Sequence, residues 1–448
     1  MTTKPVFPSS RPIQTEVRTP TGGGVLRRIG LAVLALIGII VALILALPVP
    51  LLFFATSVPV LIAIALAAAD IGIVIALFRL ERTPVVIAAA FAGIVIVSIL
   101  AIWLSQMFAS TPPITGADGN VLPGSIAEMT TVDLNGSEQW ITIRGHNLDN
   151  PVLLFLAGGP GGSELVMTRR YLGDLEKHFI VVNWDQPGTG KSYNAVAIDE
   201  LTPERYVDDG IALTNYLRER FDQDRIYILG ESWGSILGIW MAQQHPELYY
   251  AFVGTGQMVT TTENDVLGYE FDLDYLAQRG ETEAIERLRQ IGPPPYSGSD
   301  MMWRYMDVFG VQNGYMNAHA HGEDVNHNLM FDSLLAPEYG LVDKVNWLRG
   351  LIDVFVNVYP QIADLDFRTQ AAQLSVPVYI IKGRWDVNAM NSLVEDYFAI
   401  LDAPHKELIW FEDSAHTPLW DSPRHFVEVM VDTVMAQTRP ECCHGRRP

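Results

Sequence analysis

The chain has 448 residues and a formal net charge of −21 at pH 7. Residues 1–82 hold seven Lys or Arg against three Asp or Glu, a net charge of +4, while the remainder holds 23 against 48, a net charge of −25. A soluble region this acidic is not expected to bind nucleic acid or to adhere to anionic lipid, so those partner classes are excluded. The two cysteines, Cys442 and Cys443, are adjacent and close to the C-terminus, so no disulfide is expected within a folded domain.

The N-terminal quarter is predicted to cross a membrane three times. It contains three segments that are nearly free of charge and rich in Leu, Ile, Val and Ala, at about 29–47, 58–78 and 84–104. Each has about the 20 residues that a helix needs to span the hydrocarbon core. A cleaved signal peptide would be a single, shorter apolar run. The pattern therefore predicts three transmembrane helices within residues 25–106, followed by a linker over residues 107–124.

The arginines near these segments predict the orientation of the helices. Arg27 and Arg28 precede the first segment, and Arg79 and Arg82 lie between the second and the third. By the positive-inside rule the N-terminus and this second loop are cytoplasmic. Three crossings then place everything after the third helix outside the cytoplasm. The uncharged residues 48–57 are assigned either to the first loop or to a span.

Three smaller features of the first 140 residues carry predictions. Residues 1–24, with several Pro, Ser, Thr and Gly, indicate a disordered cytoplasmic tail. Asp70 lies near the middle of the second segment, where a carboxyl group is either functional or protonated and paired inside a helical bundle. Asn135-Gly-Ser137 is a glycosylation sequon, which matters only in a eukaryotic host.

A glycine-rich loop follows the first strongly apolar strand of the acidic region. Val152–Leu156 predicts a buried strand, and residues 157–162 read Ala-Gly-Gly-Pro-Gly-Gly. Glycines allow backbone N–H groups to approach a substrate oxygen closely. The alternative is an ordinary glycine-rich turn. Its position directly after a strand favours an oxyanion-binding loop, with Gly159 as the donor.

The segment Gly188-Thr-Gly-Lys-Ser192 resembles the end of a phosphate-binding loop. Such a loop needs Gly-x-x-x-x-Gly-Lys-Ser, and counting back from Gly190 places Asp185 where the first glycine should be. Nucleotide binding is therefore not favoured.

Residues 226–234 read Ile-Tyr-Ile-Leu-Gly-Glu-Ser-Trp-Gly, and a helical pattern follows. A strand, a Gly-x-Ser-x-Gly turn and a helix are the context of a nucleophile elbow, in which the serine is held exposed above the sheet. Gly230 and Gly234 leave the turn the room it needs. The pattern predicts Ser232 as a nucleophile and the N–H of Trp233 as the second oxyanion donor.

Two later strands supply the remaining candidates for a catalytic triad. Asp386 follows a predicted strand that ends at Gly383, and His416 follows another predicted strand over residues 408–411. The carboxyl ends of parallel strands are where catalytic groups gather. The chain order of Ser, then Asp, then His is that of α/β-hydrolases.

The region between these parts predicts a cap domain. Residues 262–365 alternate helical patterns with turn signals, so we expect a helical cap inserted between two parts of a hydrolase core, 125–261 and 366–436, with a tail over 437–448. Its aromatic and methionine side chains could line a substrate pocket or form the cap core. His319, His321, Glu323 and His327 could suggest a metal site, but no accompanying ligand pattern supports one, so a polar cap surface is favoured.

Four of these segments together resemble the signatures of proline iminopeptidases: Gly158–Gly161, Trp184–Ser192, Gly230–Ser235 and Gly383–Asp386. Those enzymes are α/β-hydrolase serine peptidases that remove an N-terminal residue, often proline. The resemblance covers roughly residues 125–435. It implies Ser232 as nucleophile, Asp386 as the acidic member, His416 as base, and Gly159 and Trp233 as oxyanion donors.

The chain departs from this family in two places. Ala157 stands where the family usually has His before Gly-Gly-Pro-Gly, and the cap lacks the Trp-Glu pair that in the family helps to hold a substrate ammonium. Other acidic residues occur in the cap, and among them Glu263 and Glu270 are the expected ammonium partners. The remaining acidic candidates are Asp265, Asp272 and Glu323.

The sequence thus predicts an α/β-hydrolase fold, a mostly parallel sheet with helices on both faces and a helical cap, preceded by three transmembrane helices. Its expected function is that of a membrane-anchored serine hydrolase acting on a small peptide, most consistent with an aminopeptidase. Two alternatives stay open: a carboxylesterase or lipase-like enzyme with an acyl substrate, and a non-catalytic membrane sensor or scaffold. No cofactor or metal is expected, and the oligomeric state is not predicted.

Overall fold

A computed structural model of the chain describes residues 22–323 and 328–439. Most of the predicted N-terminal tail, His327, Cys442 and Cys443 lie outside the described residues. The chain divides into two compact units. Among the described residues, one unit comprises those up to Pro50 and Ile64–Leu100, and the other comprises Leu51–Ala63 and those from Ala101 onwards.

Four helices account for the apolar N-terminal region: α1 (Gly22–Ala46), α2 (Pro48–Ala55), α3 (Val60–Arg79) and α4 (Pro84–Phe108). Three helical stretches are long and apolar enough to cross a membrane, over Arg27–Ala55, Val60–Arg79 and Pro84–Phe108. The prediction of three candidate spanning helices is therefore confirmed. Residues 48–55, which the sequence left open, are helical and continue the first stretch.

The second unit is built on an eight-stranded sheet. Its strands are β1 (Ile126–Leu134), β2 (Ser137–Gly145), β3 (Val152–Leu156), β4 (Ile180–Trp184), β5 (Ile226–Glu231), β6 (Tyr249–Thr255), β7 (Val378–Gly383) and β8 (Lys406–Phe411). Their spatial order is β1-β2-β4-β3-β5-β6-β7-β8. The pairs β1–β2 and β2–β4 are antiparallel and all other pairs are parallel. The predicted α/β-hydrolase architecture is confirmed.

Strand β3 shows why the centre of the sheet reads as a continuous apolar run. All five of its residues are buried. Val152, Leu154 and Leu156 join one hydrophobic cluster, while Leu153 and Phe155 join another. Because side chains alternate between the two faces of a strand, a strand covered on both faces must be apolar at every position.

Helices pack around this sheet and continue to the end of the described chain. They are α5 (Leu165–Tyr171), α6 (Pro203–Arg220), α7 (Trp233–Gln244), a cap of α8 (Thr262–Arg279), α9 (Thr282–Ile291), α10 (Met301–His319), α11 (Leu329–Leu334) and α12 (Leu341–Val358), then α13 (Phe367–Gln370), α14 (Asn391–Ile400), α15 (Pro418–Asp421), α16 (Pro423–Glu428), a π-helical segment (Val429–Met435) and α17 (Ala436–Thr438). The cap helices are inserted between β6 and β7, and they have an apolar core of their own that includes Tyr269, Met301 and Tyr305.

Candidate active site

Ser232 occupies a strained turn between β5 and α7. Its backbone has φ 51° and ψ −114°, which a non-glycine residue adopts only where the surroundings enforce it. A Cβ on Gly230 would lie 2.2 Å from the carbonyl oxygen of Gly234, and a Cβ on Gly234 would lie 1.9 Å from that of Leu156. Both glycines are therefore required by the close packing of the turn, and the Ser232 side chain is directed to a cavity that it lines.

The structure brings Asp386 and His416 together at the carboxyl ends of β7 and β8. Nδ1 of His416 lies 3.1 Å from Oδ1 and 3.0 Å from Oδ2 of Asp386. The loops that carry them touch at Gly383, where a Cβ would lie 1.8 Å from the carbonyl oxygen of Ala415. Asp413, the nearest alternative carboxylate in the sequence, is exposed.

Asp386 is held from behind by Lys382, the penultimate residue of β7. Its side chain forms an ion pair with the Lys382 ammonium, and both side chains are fully buried. Oδ1 also accepts hydrogen bonds from the backbone N–H groups of Asn388 and Ala389, each at 2.9 Å. Four groups thus orient this carboxylate, one of which is the imidazole.

Two opposing effects set the charges of this pair. Burial alone would raise the pKa of Asp386, but His416 and Lys382 hold that pKa below its ordinary value. Burial would likewise lower the pKa of His416, but the charge and hydrogen bond of Asp386 outweigh it and the pKa is raised. The arrangement favours a carboxylate that stabilises a protonated imidazole.

The glycine-rich loop after β3 contributes Gly159 to the lining of the cavity, which Trp233 also lines. Gly159 has φ 125°, a conformation reserved for glycine. Trp233 is the first residue of α7, so its N–H is one of the helix-terminal donors that have no partner within the helix. The two predicted oxyanion donors therefore border the space in front of Ser232.

Gln186 links these two elements, although sequence reasoning gave it no role. Its Oε1 accepts from the indole of Trp233 at 3.1 Å, and its Nε2 donates to the carbonyl of Ala157 at 3.4 Å. Its neighbour Asp185 accepts from Ser163 and Tyr339. Gln186 lies within Trp184–Ser192, a segment that was identified from its resemblance to the family signatures without a role being given to Gln186.

A buried pair of carboxyl groups lies beneath the same loop. Glu231 and Glu164 are hydrogen-bonded to each other, and burial raises the pKa of Glu164 to about 7 and that of Glu231 well above its ordinary range. A Cβ on Gly158 would lie 1.9 Å from Oε2 of Glu231, and Oε1 of Glu231 lies 3.8 Å from Nε2 of His416. A proton shared by the two carboxyl groups is what allows them to be adjacent in a dry site.

The cavity has a volume of about 300 Å³ and is lined in part by the cap. Its apolar wall includes side chains from α7, α10 and α12, which are Ile236, Met302, Val308, Phe309, Leu351 and Phe355. Of the aromatic and methionine side chains left open by the sequence, Met302, Tyr305 and Phe309 line the cavity, whereas Trp303 is exposed. Among the described residues that line it, the charged types are Glu231, Asp265 and His416, and none is Lys or Arg.

Asp265 is the acidic residue that the cap presents to this cavity. Its Oδ2 accepts from Tyr305 at 2.6 Å and its Oδ1 from Tyr359 at 2.8 Å, while burial raises its pKa to about 6. Close to it, Oε1 of the cavity-lining Gln312 is buried without a hydrogen-bond partner in the described structure. The cavity therefore offers acceptors to a donor group of a substrate.

The two glutamates expected to hold an ammonium lie elsewhere. Glu263 is exposed and pairs with Arg368, and Glu270 is exposed on the same helix; neither lines the cavity. Of the other acidic candidates, Asp272 is buried away from the lining and Glu323 pairs with Arg424. Within the described ranges, no group of three or more His, Cys, Asp or Glu side chains is arranged to hold a metal ion.

Comparison with known proteins supports the hydrolase fold. The family profile described as "alpha/beta hydrolase fold" matches residues 151–288. The relative named "Probable aminopeptidase YbaC", from Bacillus subtilis, is 30% identical over 309 residues, covering 68% of this chain and 96% of its own. A "Probable proline iminopeptidase" of Leptolyngbya boryana is 24% identical, covering 60% of this chain and 83% of its own.

Solved structures share the fold. The proline iminopeptidase of Mycobacterium smegmatis superposes with a TM-score of 0.52 at 19% identity, covering 69% of this chain and 99% of that one. VinJ superposes with a TM-score of 0.51 at 20% identity, covering 69% and 98%. At this level of identity the likeness concerns the fold alone.

Proposed function

Because the chain belongs to the proline iminopeptidase-like family of α/β-hydrolases and is a serine hydrolase by that membership, we propose that it is a membrane-anchored aminopeptidase that releases a small N-terminal residue such as proline. One observation carries this proposal: the cavity that Ser232 and His416 line also contains Asp265, and its described lining includes no Lys or Arg. Such a cavity suits a substrate with a positive charge close to the scissile bond.

The chemistry assigned to the cavity is acyl transfer through a covalent intermediate. A serine hydroxyl attacks a carbonyl only when a base removes its proton, and we assign that role to His416. Asp386 fixes the imidazole tautomer and stabilises the imidazolium that forms. His416 then protonates the leaving amine, and water repeats the sequence to release the acyl group from Ser232.

The developing oxyanion is assigned to the N–H groups of Gly159 and Trp233. Loss of one such donor typically costs about 3 to 4 kcal/mol of transition-state stabilisation. Gln186 supports the assignment because it holds both donor segments through Trp233 and Ala157. The donors are then fixed before substrate binds, which is the condition for a large electrostatic effect.

We assign to Asp265 the role of binding the ammonium of the substrate. An unpaired ammonium in a dry cavity is costly, and a carboxylate already oriented by Tyr305 and Tyr359 is a prepared partner for it. An arriving ammonium favours the charged form of Asp265, whose pKa burial raises to about 6 against the lowering effect of its hydrogen bonds. Gln312 supplies a further acceptor through its unpartnered Oε1.

Anchoring is proposed through the three apolar helices, with the hydrolase domain outside the cytoplasm. The arginines at 27, 28, 79 and 82 support that orientation by the positive-inside rule. An impermeant protease added to intact cells is then expected to digest the hydrolase domain. Protection of the domain from the protease would indicate the opposite orientation and would leave the proposed chemistry unaffected.

The activity is tested with three matched substrates on the purified full-length protein in detergent: prolyl-arylamide, its N-acetylated form and a short-chain acyl ester of the same chromophore. Ser232→Ala serves as the blank and is expected to be inactive on all three. The aminopeptidase proposal predicts that acetylation removes most of the turnover. Equal or faster turnover of the acetylated amide and the ester would favour the esterase alternative, which the apolar lining of the cavity also supports.

A further inference from the structure

Helix α12 carries an exposed apolar stripe. Val342, Val345, Leu348 and Ile352 are 42, 55, 38 and 43% exposed. Their spacing of three, three and four residues places them along one side of the helix. Within this fully described helix the only other exposed residue is Arg349, which lies over the ring of Tyr193 at 4.3 Å. A soluble helix normally places polar side chains on such a face.

Helix α11 and the residue after it also expose large apolar side chains. Met330, Phe331 and Leu335 are 50, 60 and 51% exposed. Large apolar side chains grouped at a surface mark a site of association with a protein or a membrane. We refer to the exposed stripe of α12 and these three residues together as the apolar cap face.

The segment between α11 and α12 is attached to the ends of the apolar N-terminal helices. The carbonyl of Pro337 accepts from Ser57 Oγ at 3.1 Å and from the N–H of Ser110 at 3.2 Å. At the start of α12, the N–H of Leu341 donates to Ser105 Oγ at 3.0 Å. Gln106 Oε1 accepts from the N–H of Val342 at 3.2 Å. Residues 51–63 and 101–108 belong to the same compact unit as the cap.

These attached helix ends also expose large apolar side chains. Phe54, Leu61, Trp103 and Met107 are strongly exposed and lie in the helices that are apolar enough to cross a membrane. A tryptophan near the end of a spanning helix is typical of the membrane–water interface. The apolar cap face therefore begins where the third spanning helix ends.

We infer that the apolar cap face docks onto the lipid bilayer that the N-terminal helices cross, with the stripe of α12 lying in the interfacial layer. The inference rests on the proposed membrane anchoring. It has a consequence for the active site, since Leu351 and Phe355 of the same helix line the catalytic cavity. One helix would then contact both lipid and substrate, which suits peptides held at the membrane surface.

The test measures the surroundings of single nitroxide labels on the full-length chain. Cys442 and Cys443 are replaced by Ser, and the protein is placed in nanodiscs of the zwitterionic lipid phosphatidylcholine. Labels are attached to Val345→Cys and Ile352→Cys. The matched control is Ile400→Cys, an aliphatic residue of α14 that is 51% exposed, and Leu34→Cys in α1 reports on anchoring. Collision with oxygen, which concentrates in lipid, is compared with collision with a water-soluble nickel chelate.

Docking predicts that the labels at 345 and 352 shift towards the high oxygen-to-nickel ratio of the label at 34, while the label at 400 keeps a low ratio. If the label at 34 is in lipid and those at 345 and 352 are in water, docking is overturned and anchoring stands. Shielding of 345 and 352 from both reagents would assign the face to a second copy of the chain and also overturns docking. A label at 34 in water overturns anchoring and docking together, while the hydrolase chemistry is unaffected.

Discussion

The ammonium of Lys382 and the carboxylate of Asp386 form an ion pair that is fully buried behind the imidazole of His416. Removing one partner of a buried pair typically destabilises a protein by about 3–5 kcal/mol. Both the stability of the fold and the charge of the site therefore depend on this pair. The positive charge of Lys382 opposes protonation of His416, lowering its pKa against the stronger effect of Asp386. We therefore propose that Lys382 is a positioning residue that also adjusts the pKa of the proposed base, His416.

Lys382→Met should move the acidic limb of kcat/KM to higher pH. The substitution removes a charge that lowers the pKa of His416, so the pKa rises and the imidazole stays protonated to a higher pH. Because a base must be neutral, activity then begins only at that higher pH. The pH profile of kcat/KM measures this shift. Arg384→Met is the control, because Arg384 is an exposed cation of the same loop that pairs with Glu412. A profile that moves to lower pH in Lys382→Met contradicts the electrostatic role.

Asp386→Asn should reduce kcat by roughly 10⁴-fold, because an amide in this position stabilises the wrong imidazole tautomer. Asp413→Asn, the matched change at the exposed carboxylate after β8, should leave kcat close to that of the unmodified protein. Steady-state turnover of both variants, with circular dichroism to verify folding, measures the contrast. Greater sensitivity at Asp413 would require a different acidic member.

The buried pair of Glu164 and Glu231 predicts a pH-dependent stability. Because the folded-state pKa of Glu164 is about 7, above its ordinary value of 4.5, the folded state holds this proton more tightly than the unfolded chain does. The resulting stabilisation is complete below pH 4.5 and is lost as the pH rises to 7. A difference of this size corresponds to about 3 kcal/mol.

Glu164→Gln should therefore flatten the decrease in unfolding free energy between pH 4.5 and 7, since an amide does not titrate. Chemical denaturation of the full-length protein in detergent, followed by tryptophan fluorescence, measures the slope. Glu395→Gln, at an exposed position of α14, should retain the slope of the unmodified protein. An unchanged slope in Glu164→Gln would show that the shared proton does not contribute.

The fold and the positions of Ser232, Asp386 and His416 could be predicted because each depends on local pattern. Gly230 and Gly234 are needed by the turn itself, and a strand followed by a turn and a helix can be recognised from nine residues. Asp386 and His416 each follow a short apolar strand, and parallel strands bring their carboxyl ends to one edge of a sheet.

The acidic residue of the cap that lines the cavity could not be predicted, because it depends on the phase of α8. Glu263 and Glu270 are seven residues apart and share the exposed side of the helix, whereas Asp265 and Asp272, also seven apart, share its buried side. Both pairs have the same spacing, so the sequence alone does not say which side faces the cavity. Only the packing of the cap against Tyr305 and Tyr359 selects Asp265.

The supporting residues were missed because no local sequence pattern indicates which partner each of them meets. Glu164 and Glu231 lie on different elements, and neither has a local pattern that indicates the other. Lys382 stands at the end of a strand that is otherwise apolar, where a lysine usually reaches solvent. Its burial is possible because its ammonium forms an ion pair with Asp386, four residues later.

The measurement that tests the aminopeptidase account most directly is the steady-state comparison of Asp265→Asn with Glu263→Gln on free and N-acetylated prolyl-arylamide. Loss of the carboxylate that holds a buried ammonium should lower kcat/KM for the free amine on the order of 10²-fold, chiefly through KM, and leave the slow acetylated substrate unaffected. Glu263→Gln, two residues away on the exposed side of α8, should behave as the unmodified protein does. Full activity of Asp265→Asn on the free amine, or a loss in Glu263→Gln instead, would contradict the assignment of Asp265 to the substrate ammonium.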